Sequence, residues 1–207
     1  MSRIAMFGGS FNPVHNGHTG LVERMVKEFS LDKVYVIPTF HTPLKDNSHM
    51  ITPVHRLNMC RLAFGFMDKV VVSDLEIARQ GRSYTVDTLS TLKEIHPDDD
   101  LYLIMGADSF MQLPMWHKAD EIFDTATILT VSRGEVEYDT LLKQKEEYSL
   151  KYGANAQILK EPIALVSSTE VRQAVSMGRD LNGMLHPEVS GYIYKNRLYE
   201  YGHEEIL

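Results

Sequence analysis

The 207-residue chain has one cysteine, Cys60, and one tryptophan, Trp116. A lone cysteine excludes an intrachain disulfide framework and fits a reducing compartment. No apolar run approaches the roughly 18 residues of a membrane span, and the N-terminus lacks the form of a signal peptide. A cytoplasmic protein without a membrane partner is therefore expected. A basic surplus is missing too, since the formal net charge is −7. Nucleic-acid binding usually shows a basic face, so no nucleic-acid partner is expected. A small anionic ligand stays open, because a few cations and helix ends can reverse the potential inside one cleft. No repeat, low-complexity tract or domain boundary interrupts the chain. A length of 207 residues is ample for one core, so a single domain over 1–207 is expected.

What is present is concentrated at the start. Gly8-Gly9-Ser10-Phe11-Asn12-Pro13-Val14-His15-Asn16-Gly17-His18 follows an apolar run over residues 3–7. After it, Leu21, Val22, Met25, Val26 and Phe29 recur on one face of a helix. Strand, glycine-rich turn and helix start together form a site for phosphate, where bare N–H groups and the helix dipole meet the anion. Gly8 and Gly9 are expected to let backbone approach a ligand. His15 and His18 are expected to add donors that carry positive charge near neutral pH. They are not read as a metal site, since no cysteine and no clear third ligand accompany them.

Short apolar runs alternate with helical patterns along the rest of the chain. Strands are predicted at 3–7, 33–38, 69–73, 101–105, 126–132 and 156–159. Helices are predicted at 18–29, 53–66, 86–96, 118–123 and 138–152. Thr52-Pro53 reads as an N-cap followed by proline at the first helical position. Such alternation predicts an α/β fold with a doubly wound parallel sheet, Rossmann-like in form. Ligands then sit beyond the carboxyl ends of the strands, where strand order reverses. The loops at Gly8, Thr39, Gly106 and Arg133 should open on that edge.

A second helix start lies late in the sequence, at Val166-Ser167-Ser168-Thr169-Glu170-Val171-Arg172. Ser167 and Glu170 have capping-box spacing, and Gly178 should stop the helix. Ser168, Thr169 and the N–H groups of this turn can hold phosphate oxygens. Arg172, one turn on, can lean back over the same end. A triphosphate could then lie between two helix starts.

These two segments, Gly8-Gly9-Ser10-Phe11-Asn12-Pro13-x-His15-x-Gly17-His18 and Ser167-Ser168-Thr169-x-x-Arg172, resemble those of the nucleotidyltransferase superfamily. Three middle segments narrow the resemblance: Ser83-Tyr84-Thr85-Val86-Asp87-Thr88-Leu89, Gly106-Ala107-Asp108-Ser109-Phe110 and Leu113-Pro114-x-Trp116. With them the chain is similar, over essentially its whole length, to bacterial nicotinate mononucleotide adenylyltransferases. The resemblance implies ATP and nicotinate mononucleotide as substrates, with Mg²⁺ accompanying ATP. It implies phosphate contacts from His15, His18 and Arg172, which would be the catalytic group. Around ATP it implies Gly8, Gly9, Ser10, Phe11, Gly17, Gly106, Asp108, Ser167, Ser168 and Thr169. For the pyridine mononucleotide it implies Ser10, Lys45, Thr85, Trp116 and Arg133, with Trp116 stacked on the ring. The domain would carry C-terminal helices over 168–199, and a homo-oligomer is compatible with the sequence. One departure stands out. The family usually has Pro-Pro-His and then a basic residue after the second strand, where this chain reads Thr42-Pro43-Leu44-Lys45. Transferases on the same fold that act on phosphopantetheine lack the Ser-Tyr-Thr and Leu-Pro-x-Trp segments. A nucleotide sensor without turnover would have lost a phosphate-contacting histidine or the arginine, and all three are present.

Overall fold

The first strand lies at the centre of the sheet. In a computed structural model, which describes residues 1–43, 50–132, 135–160 and 166–200, strands β1 (Arg3–Gly9), β2 (Lys33–Pro38), β3 (Val70–Val72), β4 (Asp100–Ile104), β5 (Thr127–Val131) and β6 (Ala156–Leu159) form one parallel sheet. Their spatial order is β3-β2-β1-β4-β5-β6. The order reverses between β1 and β4, which places the ligand crevice of such sheets at their carboxyl ends. Side chains alternate across β1: Ala5 and Phe7 enter one core, Ile4 and Met6 the other. Burial on both faces explains why the strands read as continuous apolar runs.

The first core is covered by α1 (Asn16–Glu28), α2 (Pro53–Phe64), α8 (Ser168–Ser176) and α9 (Pro187–Lys195). The second is covered by α4 (Thr85–Ile95), α5 (Ala107–Gln112), α6 (Ala119–Thr125) and α7 (Glu135–Tyr152). The apolar stripe of α4, Val86, Leu89 and Leu92, is buried, while Ile95 at its end is exposed. Thr52 occupies the N-cap of α2 with Pro53 at the first position, and no side-chain bond completes that cap. Two short helices, α3 (Leu75–Arg79) and α5, have no counterpart in the sequence reading. Runs of five and six residues offer too few turns for a 3.6-residue period to stand out. Among the described residues no helix is long and apolar enough to cross a membrane.

The start of the chain differs from expectation. Gly8 and Gly9 are not turn residues but the end of β1, paired with Ile37 and Pro38. The turn begins at Phe11, a non-glycine residue with φ of 47°. Its ring folds back over the strand, and a Cβ on Gly9 would lie 3.1 Å from it. Phe11 is itself buried, so the ring has no room to yield. The absence of a Cβ at Gly9 thus serves the protein's own packing.

Candidate functional site

The loop after β1 and the start of α8 meet, although more than 150 residues separate them. Ser168 Oγ donates to the Pro13 carbonyl at 2.9 Å. Arg172 leans back over its own first turn, as the direction of helical side chains requires. One guanidinium nitrogen donates to the Asn12 carbonyl at 2.8 Å, and the other to Thr169 Oγ1 at 3.2 Å. The predicted capping box is present. Glu170 N–H donates to Ser167 Oγ at 3.2 Å, and Ser167 N–H to Glu170 Oε2 at 2.7 Å. Ser167 Oγ also donates to that carboxylate at 2.7 Å. The Ser167 hydroxyl and the Glu170 N–H are therefore engaged in the cap, which leaves the N–H groups of Ser168 and Thr169 outside it. Gly178, at φ of 61°, ends the helix, with Arg179 N–H bonded to the Ala174 carbonyl and Gly178 N–H to Val175.

At the other helix start, His15 is the N-cap of α1. Its ring lies 3.6 Å from that of His18, centroid to centroid. His15 N–H donates to His18 Nδ1 at 3.2 Å. An accepting Nδ1 assigns the proton of the neutral tautomer of His18 to Nε2. The edge of Phe11, 5.1 Å away, and the tilted ring of Phe7 at 5.9 Å complete the cage around His18. Asn16 N–H donates to the Met184 carbonyl, so this part of the helix start is already satisfied.

His15 does not carry charge near neutral pH in this state. Burial pushes its imidazole down to about 4, against a partly opposing pull from Glu170. The folded-state value lies below the ordinary 6.5, so the unfolded chain binds the proton first as pH falls. Stability is then full above 6.5 and is lost on descent toward 4, by about 3 kcal/mol in all. Denaturant midpoints measured between pH 7.5 and 4.5 should fall less steeply for His15→Asn than for the wild type. Equal slopes would mean that His15 is not held neutral.

Residues expected around the pyridine mononucleotide lie in loops after β2 and β4 and at the start of α4. Thr85 is the first residue of α4, and Tyr84 before it packs on His117 with ring centroids 4.4 Å apart. The Ser-Tyr-Thr and Leu-Pro-x-Trp segments are thereby brought together. Trp116 is half-buried against the second core, and its buried indole Nε1 has no hydrogen-bond partner among the described residues. Gly106 is the N-cap of α5 at the end of β4, and a Cβ there would meet nothing within 4 Å among the described residues. Asp108 follows in the first turn of α5, exposed. Lys45 and Arg133, also expected at this side, lie outside the described residues, as does Leu44 of the departing flap segment.

The sequence reading missed Arg56. It sits on α2, is fully buried, and touches four backbone carbonyls. Its nitrogens donate to Ser10 at 2.8 Å, Thr39 at 2.6 Å, Phe40 at 3.2 Å and Ile51 at 3.2 Å. One guanidinium thus joins the loops after β1 and β2. Phe40 N–H in turn donates to Ser83 Oγ at 2.9 Å, which carries the tie onward to the segment before α4. Behind it lies Glu76, buried, whose Oε1 accepts from Thr88 Oγ1 at 2.7 Å and whose carboxyl is pushed up by burial. Among the described residues no group of three or more His, Cys, Asp or Glu is gathered as metal ligands.

The model of the cytidylyltransferase-like family matches residues 6–174. The probable nicotinate-nucleotide adenylyltransferase of Clostridium tetani is 34% identical over 199 residues, spanning 96% of this chain and 100% of that one. The corresponding probable enzyme of a Synechococcus strain is 36% identical over 197 residues, 95% of this chain and 96% of the other. In fold, the chain superposes on Plasmodium falciparum nicotinic acid mononucleotide adenylyltransferase complexed with NaAD, with a TM-score of 0.79 at 21% identity, over 99% of this chain and 100% of that one.

Proposed function

The chain belongs to the cytidylyltransferase-like family, as a nicotinate-nucleotide adenylyltransferase, and from that membership we infer the reaction performed at the crevice between β1 and β4. ATP and nicotinate mononucleotide give nicotinate adenine dinucleotide and pyrophosphate. A phosphate oxygen of the mononucleotide bonds to the α-phosphorus of ATP. The bond from that phosphorus to the α,β-bridging oxygen breaks, and its electron pair leaves with pyrophosphate. The attacking phosphate monoester is largely dianionic near neutral pH, so no side chain must deprotonate it. The barrier lies in bringing anions together, which positioning and preorganised donors lower.

The observation that carries the reading is the docking of the α8 start on the loop that leads into α1, through Ser168 to Pro13 and Arg172 to Asn12. We assign the β- and γ-phosphates to Arg172, Thr169 and the first-turn N–H groups of Ser168 and Thr169, with Ser167 capping that turn. His18 and His15, with the Gly17 N–H, face the transferring phosphoryl group. Gly8, Gly9, Ser10 and Phe11 form the floor, and Gly106 and Asp108 lie toward the ribose. Mg²⁺ is taken to arrive on the triphosphate, with oxygens of phosphate and water as its ligands. On the acceptor side we assign Ser10, Thr85 and Trp116, and extend the same assignment to Lys45 and Arg133. The compartment is taken to be the cytoplasm.

Pyrophosphate release tests this directly, with Mg²⁺–ATP and nicotinate mononucleotide, nicotinamide mononucleotide or phosphopantetheine in parallel. Preference for the nicotinate compound is expected. Similar turnover of both pyridine compounds would keep the chemistry but remove the acid selectivity. Turnover of none, with ATP still bound, would leave a binding protein. On the acceptor side, Trp116→Ala should weaken binding of the pyridine mononucleotide by ~1–3 kcal/mol, the scale of base–aromatic stacking. A lowered Tm with unchanged KM for the mononucleotide would assign Trp116 to core packing instead.

A further inference from the structure

The segment after α9 reaches back to the nucleotide loop. Arg197 and Tyr199 both have left-handed backbones, with φ of 51° and 64°, unusual for residues other than glycine. This course turns the Leu198 and Tyr199 side chains into the first core, where each is 7% exposed. Phenylalanine would pack there as well. The hydroxyl has a distinct use: Tyr199 OH donates to Asn12 Oδ1 at 2.9 Å, across 187 residues of sequence. Asn12 is itself buried, and the same oxygen accepts from Ile51 N–H at 3.4 Å. The Asn12 carbonyl accepts from Arg172. Asn12 is thus held by its side chain from one end of the chain and by its main chain from α8. It stands between Phe11, which packs on His18, and Pro13, which receives Ser168.

We propose that Tyr199 is a positioning residue for adenylyl transfer: its hydroxyl holds Asn12, and so keeps the turn bearing His15 and His18 in register with the start of α8. The proposal rests on the phosphate roles assigned above to His15, His18 and Arg172. Its physical sense lies in the Arg172 and Tyr199 contacts on Asn12 being unlike. Arg172 is a cation, and an arriving polyphosphate competes with the Asn12 carbonyl for its donors. The Tyr199 hydroxyl makes a buried contact, away from that competition, so its hold persists while the guanidinium shifts toward the anion. The turn then keeps its geometry at the moment when charge on the transferring group develops.

Tyr199→Phe keeps the ring and deletes the bond. Its kcat should fall roughly three- to tenfold, the worth of one buried hydrogen bond. KM for nicotinate mononucleotide should stay within roughly twofold, since the acceptor loops are untouched. Amide hydrogen exchange at residues 10–18 should quicken while that of β4 and β5 stays as in the wild type. In an Asn12→Ala background the same substitution should have no further effect on kcat, because its route is gone. Unchanged exchange at 10–18 would overturn the proposal. So would faster exchange spread evenly over the sheet, which marks a purely structural role, or wild-type kcat beside a locally loosened turn. If the wild type itself releases no pyrophosphate, the assigned reaction fails, and the exchange pattern still decides whether Tyr199 holds the turn.

Discussion

Replacing His18 with alanine should lower kcat at least ~10²-fold, the effect of losing one preorganised donor to developing charge. The effect is expected in kcat rather than in KM for ATP, because the triphosphate keeps Arg172 and the first turn of α8. Preorganisation is visible in how the ring is held. His15 N–H on Nδ1 fixes the tautomer, the His15 ring stacks at 3.6 Å, and Phe11 closes one edge. A donor so confined has little reorganisation left to undergo when charge builds on the phosphoryl oxygens. The neighbour matters as well. His15 is held neutral by burial, so the stacked pair avoids the repulsion of two imidazolium rings. The cap on His15 N–H is lost in the variant, at a cost of about 1 kcal/mol, which a folded protein of this size tolerates. Steady-state kinetics of His18→Ala, with circular dichroism to verify the fold, make the test. Near-wild-type kcat in a folded variant would remove His18 from the mechanism.

Arg56→Met should cost about 3–5 kcal/mol of stability, on the scale of breaking a buried charge arrangement from one side. The substitution keeps much of the volume and leaves four carbonyls, of Ser10, Thr39, Phe40 and Ile51, without their shared donor. Each unsatisfied buried acceptor is individually costly, and relaxation of the loops recovers only part. In a chain this long the loss corresponds to a fall of roughly 10 °C in Tm. Arg56→Lys should be intermediate, since an ammonium has three donors and cannot span four carbonyls in one plane. Urea titration of the three proteins would settle the order. A methionine variant within about 1 kcal/mol of wild type would show that solvent reaches those carbonyls.

How much was legible beforehand depended on how far apart the partners lie. The six strands and the longer helices follow from runs and periods within about 15 residues, and the sheet and its crossovers follow from their alternation. Ser167 with Glu170, and Gly178 beyond them, are local signals of the same kind, and the helix starts and stops there as expected. The inward turn of Arg56 is not local. Its acceptors are main-chain groups 5, 16, 17 and 46 residues away, and a carbonyl leaves no residue type to read. The same holds for Tyr199, whose acceptor is 187 residues distant. Gly9 was legible as necessary but not in its reason, because the atom it makes room for belongs to Phe11 in an uncommon backbone region. The charge of His15 depends on burial, which the sequence does not display.

The order in which the chain emerges during synthesis gives the α8 contacts another meaning. β1 and its loop come first, and β2 and β4 can enclose the strand before residue 110 has been made. The groups that seat Asn12 and Pro13 come from Arg172, Ser168 and Tyr199, made at least 155 residues later. A chain cut short before α8 can therefore assemble most of its sheet and still lack half of its anion cradle. Nucleotide favours whatever form binds it, by mass action. Here that bias falls only on molecules in which α8 has been made and docked, so nucleotide separates complete cradles from half-built ones.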